Sequence, residues 1–338
     1  MRSVAAVLVI LLGACTYTEA LGSGTTVAHG RPASPTTEAP TTTAPTTTTT
    51  VVLTTTTESP VTETTVERPG DDALVTPTGV VVAVLDQTAD GFLVRTPCGN
   101  ETVVSSGTPV NGIWVVVDPG HGGEVDTGAV GSNGLMEQDL NLVVSQALEA
   151  KLIVRGIPVL LTRTGRYGST LGARTALADH VGADLLLSVH HNAPTQGPSN
   201  RPGTEIFVQH DSRESRRLGG LVWKHITEAL SQFDVQWTAA RDAGVLSVLS
   251  SRGEDAYGIN RGPDTVSVLA ELGYVSNPPE AALFATDEYV ETASEALANA
   301  VVDFLTTQDA GAGFVSEPRV FNPQPGIGAA ACVDPVLE

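Results

Sequence analysis

Short apolar runs that alternate with helix-like segments across residues 112–307 constrain the fold more than any other feature. Residues 113–117 (IWVVV) are apolar without interruption, which is typical of a strand buried on both faces. Residues 137–155 carry apolar side chains at helical spacing, and Gly156 follows as a terminator. Strands and helices that alternate in this way predict an α/β sandwich with a largely parallel central sheet.

The same reading extends along the rest of this region. It predicts strands at 157–162, 184–190, 204–209 and 266–271, and helices at 170–181, 212–230 and 289–305. Ahead of it, residues 80–85 and 92–96 are strand-like and joined by Thr-Ala-Asp-Gly, which indicates a hairpin. Residues 76–111 are therefore predicted to form a small β-segment before a main domain at 112–307, and 308–338 a C-terminal tail.

Residues 16–75 are dominated by Thr, Pro, Ser and Ala, as in TTEAPTTTAPTTTTT. Such a segment has almost no large side chain to bury, so burial cannot offset the entropy lost on ordering it. We predict a disordered Thr/Pro-rich stalk.

The first fifteen residues, MRSVAAVLVILLGAC, combine Arg2 with an apolar run too short to span a bilayer as a mature helix. This pattern indicates an export signal, and its ending resembles a bacterial lipobox whose cysteine is acylated. We predict a lipoprotein-type signal over 1–15 and a lipid on Cys15, which would anchor the protein to a membrane, facing the cell wall. Ordinary signal cleavage near Ala14 is the alternative.

The formal net charge is −20, from 38 acidic and 18 basic residues. No basic stripe is present to contact phosphates, so the composition argues against a nucleic-acid partner.

Four polar residues stand where a parallel sheet gathers functional groups. His121 follows a predicted strand, His190 and Glu271 are the last residues of theirs, and Glu137 opens the helix 137–155 on the face of its apolar residues. Two histidines and a carboxylate are a known zinc-ligand set, and a second carboxylate can act as general base. From the residues alone, other interpretations stay open: a turn histidine, an exposed helix-terminal acid, a core histidine, and a Glu271 paired with Arg163 or Arg174.

Four separated motifs, in order, narrow these alternatives. DPGHGG, GLMEQDLNL, SVHHNA and LAELGYVSN, with LTR between the second and third, resemble the zinc-dependent N-acetylmuramoyl-L-alanine amidases of the Amidase_3 type over about residues 113–307. The resemblance implies a mixed six-stranded sheet flanked by helices. It also implies one Zn²⁺ per chain on His121, Glu137 and His190, with Glu271 as the catalytic residue.

The implied reaction is hydrolysis, in peptidoglycan, of the amide between the lactyl group of N-acetylmuramic acid and L-alanine of the stem peptide. His191 stands where family members often have alanine. Since neighbours on a strand point to opposite faces, we expect His190 to be the ligand and His191 to support the site. Asn192 is a candidate for binding substrate. We expect the protein to be a monomer. The sequence does not identify an activator protein. A catalytically inactive wall-binding module and a zinc hydrolase of another amide are the competing functions.

Cys98 and Cys332 are the remaining cysteines if Cys15 is lipidated. Paired cysteines of exported proteins tend to bridge, because the compartment is oxidising. We therefore predict a Cys98–Cys332 disulfide that attaches the tail to the β-segment.

Overall fold

The computed structural model describes residues 73–193, 196–323 and 331–338. Cys15, the predicted signal 1–15 and most of the predicted stalk lie outside the described residues, so these assignments stay predictions. Within the described ranges, no helix combines the length and apolar character needed to cross a membrane.

The described strands and helices follow one another along the chain. They are β1 Ala73–Val75, β2 Val81–Thr88, β3 Gly91–Arg95, β4 Glu101–Val104, β5 Thr108–Val110, β6 Val115–Pro119, α1 Glu137–Val154, β7 Val159–Leu161, α2 Leu171–His180, β8 Leu185–Asn192, β9 Gly197–Ser199, β10 Glu205–Val208, α3 Arg213–Leu230, β11 Trp237–Ala239, β12 Val245–Leu246, β13 Val248–Leu249, α4 Gly258–Arg261, β14 Ser267–Tyr274, α5 Pro278–Phe284, α6 Asp287–Thr306 and β15 Arg319–Val320.

The central sheet has six strands in the order β12-β10-β14-β8-β6-β7. Every neighbouring pair is parallel except β10 and β14, which are antiparallel. The prediction of a mixed, largely parallel sheet is confirmed. β6 is buried along its whole length, which explains its uninterrupted apolar run.

Helices cover both faces of this sheet. On β8, Leu185 and Leu187 pack in the core formed with α1, α3 and α6, whereas Leu186 belongs to a second core that includes Leu177 of α2 and Ile259 of α4. The alternation follows from the two-residue repeat of a strand. Parallel β6, β8 and β14 therefore end at the same edge of the sheet, and this edge holds the predicted site.

The N-terminal β-segment forms a five-stranded antiparallel sheet in the order β4-β3-β2-β1-β5. Its β1 starts at Ala73, inside the segment 16–75 assigned to the stalk. Leu74 is fully buried, and β1 pairs with strands on both sides, so this end of the supposed stalk is part of the fold. The short apolar triplet was missed because its partners, β2 and β5, come later in the chain.

The C-terminal tail is more structured than its Gly/Pro-rich sequence predicts. Backbone amides of Val315, Arg319 and Phe321 donate to carbonyls of Val245, Ser247 and Leu249, and β15 pairs in parallel with β13. These bonds run along the edge formed by β12 and β13, which single-sequence periodicity does not reveal.

The last described residues, 331–338, dock on the small sheet. Cys332 is bonded to Cys98, with Cα atoms 5.5 Å apart, the bridge expected from the sequence. Asp334 accepts hydrogen bonds from the Cys98 amide at 2.9 Å and from Asn100 Nδ2 at 2.8 Å. The bridge spans 234 residues and ties the tail to the sheet that precedes the main domain.

Candidate metal centre

His121 lies just beyond the end of β6, in a backbone conformation that is rare for a residue with a side chain. Its φ is 61°, in the left-handed region, which costs on the order of 1 kcal/mol for a non-glycine residue. Its Nδ1 lies 2.6 Å from Asp126 Oδ1. This contact orients the ring and leaves Nε2 facing the site, an arrangement typical of metal-binding histidines.

Glu137, the first residue of α1, is the point at which the site converges. It is 4% exposed, so it is not a solvated helix-terminal acid. Its Oε1 lies 3.1 Å from His121 Nε2 and 3.0 Å from His190 Nδ1. Its Oε2 accepts the Ala129 amide at 2.8 Å, which holds the carboxylate in place.

The two adjacent histidines of β8 point in opposite directions. His190 faces Glu137, whereas His191 is fully buried between Asn141 Oδ1 at 2.7 Å and the Tyr289 hydroxyl at 2.6 Å. Burial lowers the pKa of His191 to about 3, so its ring is neutral. The backbone amide of His191 donates to Glu137 Oε1 at 3.2 Å. His191 therefore supports the centre through its backbone, while its ring is buried on the other face of the strand.

His121, Glu137 and His190 form a group that could hold a metal ion, with one donor atom from each lying within 4.8 Å of the others. Two glycines leave room for the side chains of this group. A Cβ on Gly120 would lie 2.2 Å from His190 Nε2, and one on Gly128 would lie 2.5 Å from Glu137 Oε2. Any other residue at these positions would displace a candidate ligand.

Glu271 lies on β14 directly beside His190 of β8. Its Oε2 is buried and has no hydrogen-bond partner among the described residues. Burial, reinforced by the carboxylates of Glu137 and Glu205, raises the pKa of Glu271 well above its usual value. A carboxylate with a raised pKa is better suited to accept and return a proton near neutral pH.

The two arginines considered as partners of Glu271 have other roles. Arg174 pairs with buried Asp118 at 2.9 Å and donates to the His121 carbonyl. Burial alone would raise the pKa of Asp118, but Arg174 and the hydroxyls of Ser188 and Thr162 outweigh it and hold that pKa at about 2. Arg163 donates to the carbonyls of Pro119 and Gly120. Both arginines therefore brace the loop that presents His121.

Three site residues were not singled out from the sequence: Asp118, Asp126 and Glu205. Asp118 opens the DPGHGG motif and Asp126 lies three residues beyond its end, so proximity to His121 in the sequence was an available signal. No sequence signal pointed to Glu205, since its relation to the site arises from strand pairing.

Asn192, the candidate substrate-binding residue, donates its Nδ2 to Glu205 Oε2 at 2.7 Å. This donor is already engaged, and a role in binding substrate stays a prediction.

The site opens into a cavity of about 650 Å³. His121, His190 and Glu271 lie on its wall, which also includes Tyr257 and, from the tail, Asn322. Three of the four predicted chemical groups therefore line one cavity.

The Amidase_3 family model, described as N-acetylmuramoyl-L-alanine amidase, matches residues 115–303, more than half of the chain. The chain belongs to the Amidase_3 family. The matched range contains all four residues of the candidate site.

Named relatives agree with the family assignment. The chain is 30% identical over 219 residues to the N-acetylmuramoyl-L-alanine amidase AmiA of Salmonella typhimurium, covering 56% of this chain and 75% of AmiA. It is 35% identical over 211 residues to the uncharacterized protein YqiI of Bacillus subtilis, covering 62% of this chain and 90% of YqiI. Among solved structures, an N-acetylmuramoyl-L-alanine amidase from Clostridium difficile 630 superposes with a TM-score of 0.50 at 26% identity, covering 59% of this chain and all of that one.

This Amidase_3 enzyme is a peptidoglycan amidase, which hydrolyses the amide between N-acetylmuramic acid and L-alanine in cell-wall remodelling. Its substrate is peptidoglycan. An exported, envelope-associated enzyme is consistent with that substrate.

Proposed function

We propose that this amidase is zinc-dependent, with His121, Glu137 and His190 as the ligands and Glu271 as the general base. The observation that carries the proposal is the convergence of two imidazole nitrogens and one carboxylate oxygen within 4.8 Å. Nitrogen and oxygen donors in this number are the usual protein ligands of catalytic zinc, which keeps a further position open. The donor set therefore fits the metal.

The chemistry that zinc supplies in such a site is Lewis acidity, which polarises a carbonyl and acidifies water. The residues of this chain do the rest. Glu271, whose Oε2 has no protein partner in the described ranges, takes a proton from the attacking water and delivers it to the leaving amine of L-alanine. Asp126 holds the His121 ring, and His191 and Ala129 hold Glu137.

Removal of the metal tests this assignment. We expect dialysis of the purified full-length chain against a chelator to abolish the release of stem peptides from purified peptidoglycan, and about one equivalent of zinc per chain to restore it. Mass spectrometry should identify released peptides with a free L-alanine amino terminus. Peptides cut at another amide would favour a zinc hydrolase of different specificity. Binding to the wall without release would favour an inactive wall-binding module, and full activity after metal removal would refute zinc dependence.

We further propose that the enzyme is exported and anchored by a lipid on Cys15, with residues 16–72 as a tether. The support is the sequence alone: a short apolar segment that ends in Leu-Gly-Ala-Cys, followed at once by Thr/Pro-rich chain. A Pro-rich tether extends by up to about 3.1 Å per residue, which gives a membrane-bound enzyme long reach into the wall.

Replacing Cys15 with serine should release the protein from the membrane fraction and prevent its labelling by a palmitate analogue. Wild type is expected to be labelled and membrane-bound, and Cys332→Ser, a matched loss of a cysteine, should leave the label in place. A wild type that is soluble and unlabelled would indicate plain secretion instead.

A further inference from the structure

Glu205 is a buried carboxylate placed beside the proposed catalytic base. It lies on β10 directly opposite Glu271 of antiparallel β14, and it is 1% exposed. Residues directly opposite each other on antiparallel strands project from the same face, and like charges in such a pair are unfavourable. The charges of Glu137, Glu205 and His121 act on Glu271, and Glu205 alone among them is not in the candidate metal centre.

Three donors hold Glu205 in place. Asn192 Nδ2 and the Tyr274 hydroxyl donate to its Oε2 at 2.7 Å and 2.8 Å, and Arg319 donates to its Oε1 at 2.5 Å. Of these donors, Arg319 is the one with a positive charge. A buried carboxylate requires a compensating charge, and Arg319 supplies it.

Arg319 comes from the tail, outside the family match at 115–303. Contacts of both its backbone and its guanidinium fix the position of Arg319. Its backbone amide donates to Ser247 in the β13–β15 pairing, and its guanidinium also binds Asp242 through Nε at 3.0 Å and a terminal nitrogen at 2.6 Å. The tail that presents Arg319 continues to Asn322 on the cavity wall and is attached again at Cys332.

We propose that Arg319 is a positioning residue for hydrolysis, through which the C-terminal tail completes an active site that the Amidase_3 domain alone leaves unbalanced. It acts through Glu205: by compensating that carboxylate, it keeps an unopposed negative charge away from Glu271 and fixes the Asn192 and Tyr274 side chains around it. This inference rests on the proposed role of Glu271 as the base.

The distinctive expectation concerns turnover. In Arg319→Ala, Glu205 would be an uncompensated charge beside Glu271, so kcat on a soluble N-acetylmuramoyl peptide should fall about tenfold or more, with KM within about twofold and zinc content unchanged. Arg155→Ala is the matched control, since it removes an arginine just after α1 whose carboxylate partner is the exposed Glu295. It should retain wild-type kinetics within about twofold, because the Glu295 side chain is 43% exposed and exposed pairs contribute little.

Removing the charge of Glu205 should rescue the turnover of the Arg319→Ala variant. Glu205→Gln keeps the acceptor oxygen and removes the charge, so Arg319→Ala combined with Glu205→Gln should recover kcat to within about threefold of Glu205→Gln alone. Arg319→Lys, which keeps a positive charge, should lose less than Arg319→Ala. Should Arg319→Ala fail to fold, two comparisons still test the proposal. The double variant is compared with Glu205→Gln, and Arg319→Lys is compared with wild type.

Equal kinetics of Arg319→Ala and Arg155→Ala would overturn the proposal. So would a kcat that stays low in the double variant, because the loss would then come from packing of the tail and not from the charge of Glu205. These outcomes differ from a failure of the proposed function, which would appear as a Glu271→Gln variant that retains turnover, or as zinc-independent activity of the wild type.

Discussion

Glu271→Gln should retain zinc and the fold while losing nearly all hydrolysis, by about 10²–10⁴-fold in kcat. The substitution preserves size and removes only the group that can accept a proton. Because Glu271 Oε2 has no protein hydrogen bond among the described residues, the variant breaks no such bond at that atom. The fold should therefore tolerate it, and the loss should reside in turnover.

The measurement is the rate of stem-peptide release from purified peptidoglycan, with zinc content and thermal unfolding recorded on the same samples. Glu254→Gln, the same change at an exposed acid in the loop next to the cavity-lining Arg252, is the control and should behave as wild type. Activity within a few-fold of wild type would show that Glu271 is not the base. Loss of zinc in the variant would instead make Glu271 a ligand and require Glu137 to be reassigned.

His190→Ala should abolish both zinc binding and activity. It removes one of three donor atoms and leaves a two-ligand site, which is too few to hold zinc tightly. Elemental analysis of the purified variant should find far below one zinc per chain, against about one in wild type. His225→Ala is the control: this histidine of α3 pairs with Asp303 at 2.8 Å, and its loss should not change the metal content.

The neighbouring histidine gives the opposite pattern. His191→Gln should keep about one zinc per chain but lower the free energy of unfolding by about 1–3 kcal/mol, because it disturbs the buried bonds to Asn141 and Tyr289. A variant of His191 that loses zinc while His190→Ala retains it would exchange the roles of the two residues.

Much of the fold followed from local pattern. The buried runs of β6 and β8 and the amphipathic spacing of α1 identify their elements because burial on one or both faces imposes a period that is visible in a short window. The strand edge at which His121, His190 and Glu271 gather followed from the same reading. The assignment of specific roles came from the resemblance to Amidase_3 enzymes, since residues this far apart in sequence have no diagnostic spacing.

Several features depended on partners distant in the chain. β1 was placed in the stalk because three apolar residues have no period, and its burial arises only when β2 and β5 flank it. The tail was expected to be loose because its Gly/Pro-rich sequence has little intrinsic preference for a strand, yet β13 supplies an edge for β15.

The sequence by itself determined the α/β class, the order of the main elements and the residues able to bind a metal, because residue type and hydrophobic period are local properties. The tertiary structure alone decided that one oxygen of Glu137 meets both His121 and His190, that Tyr289 is the partner of the His191 ring, and that Arg319 reaches Glu205 beside the base. The physical reason is that each of these contacts joins segments separated along the chain, and their geometry is set by strand register and by the packing of α1 and the tail against the sheet.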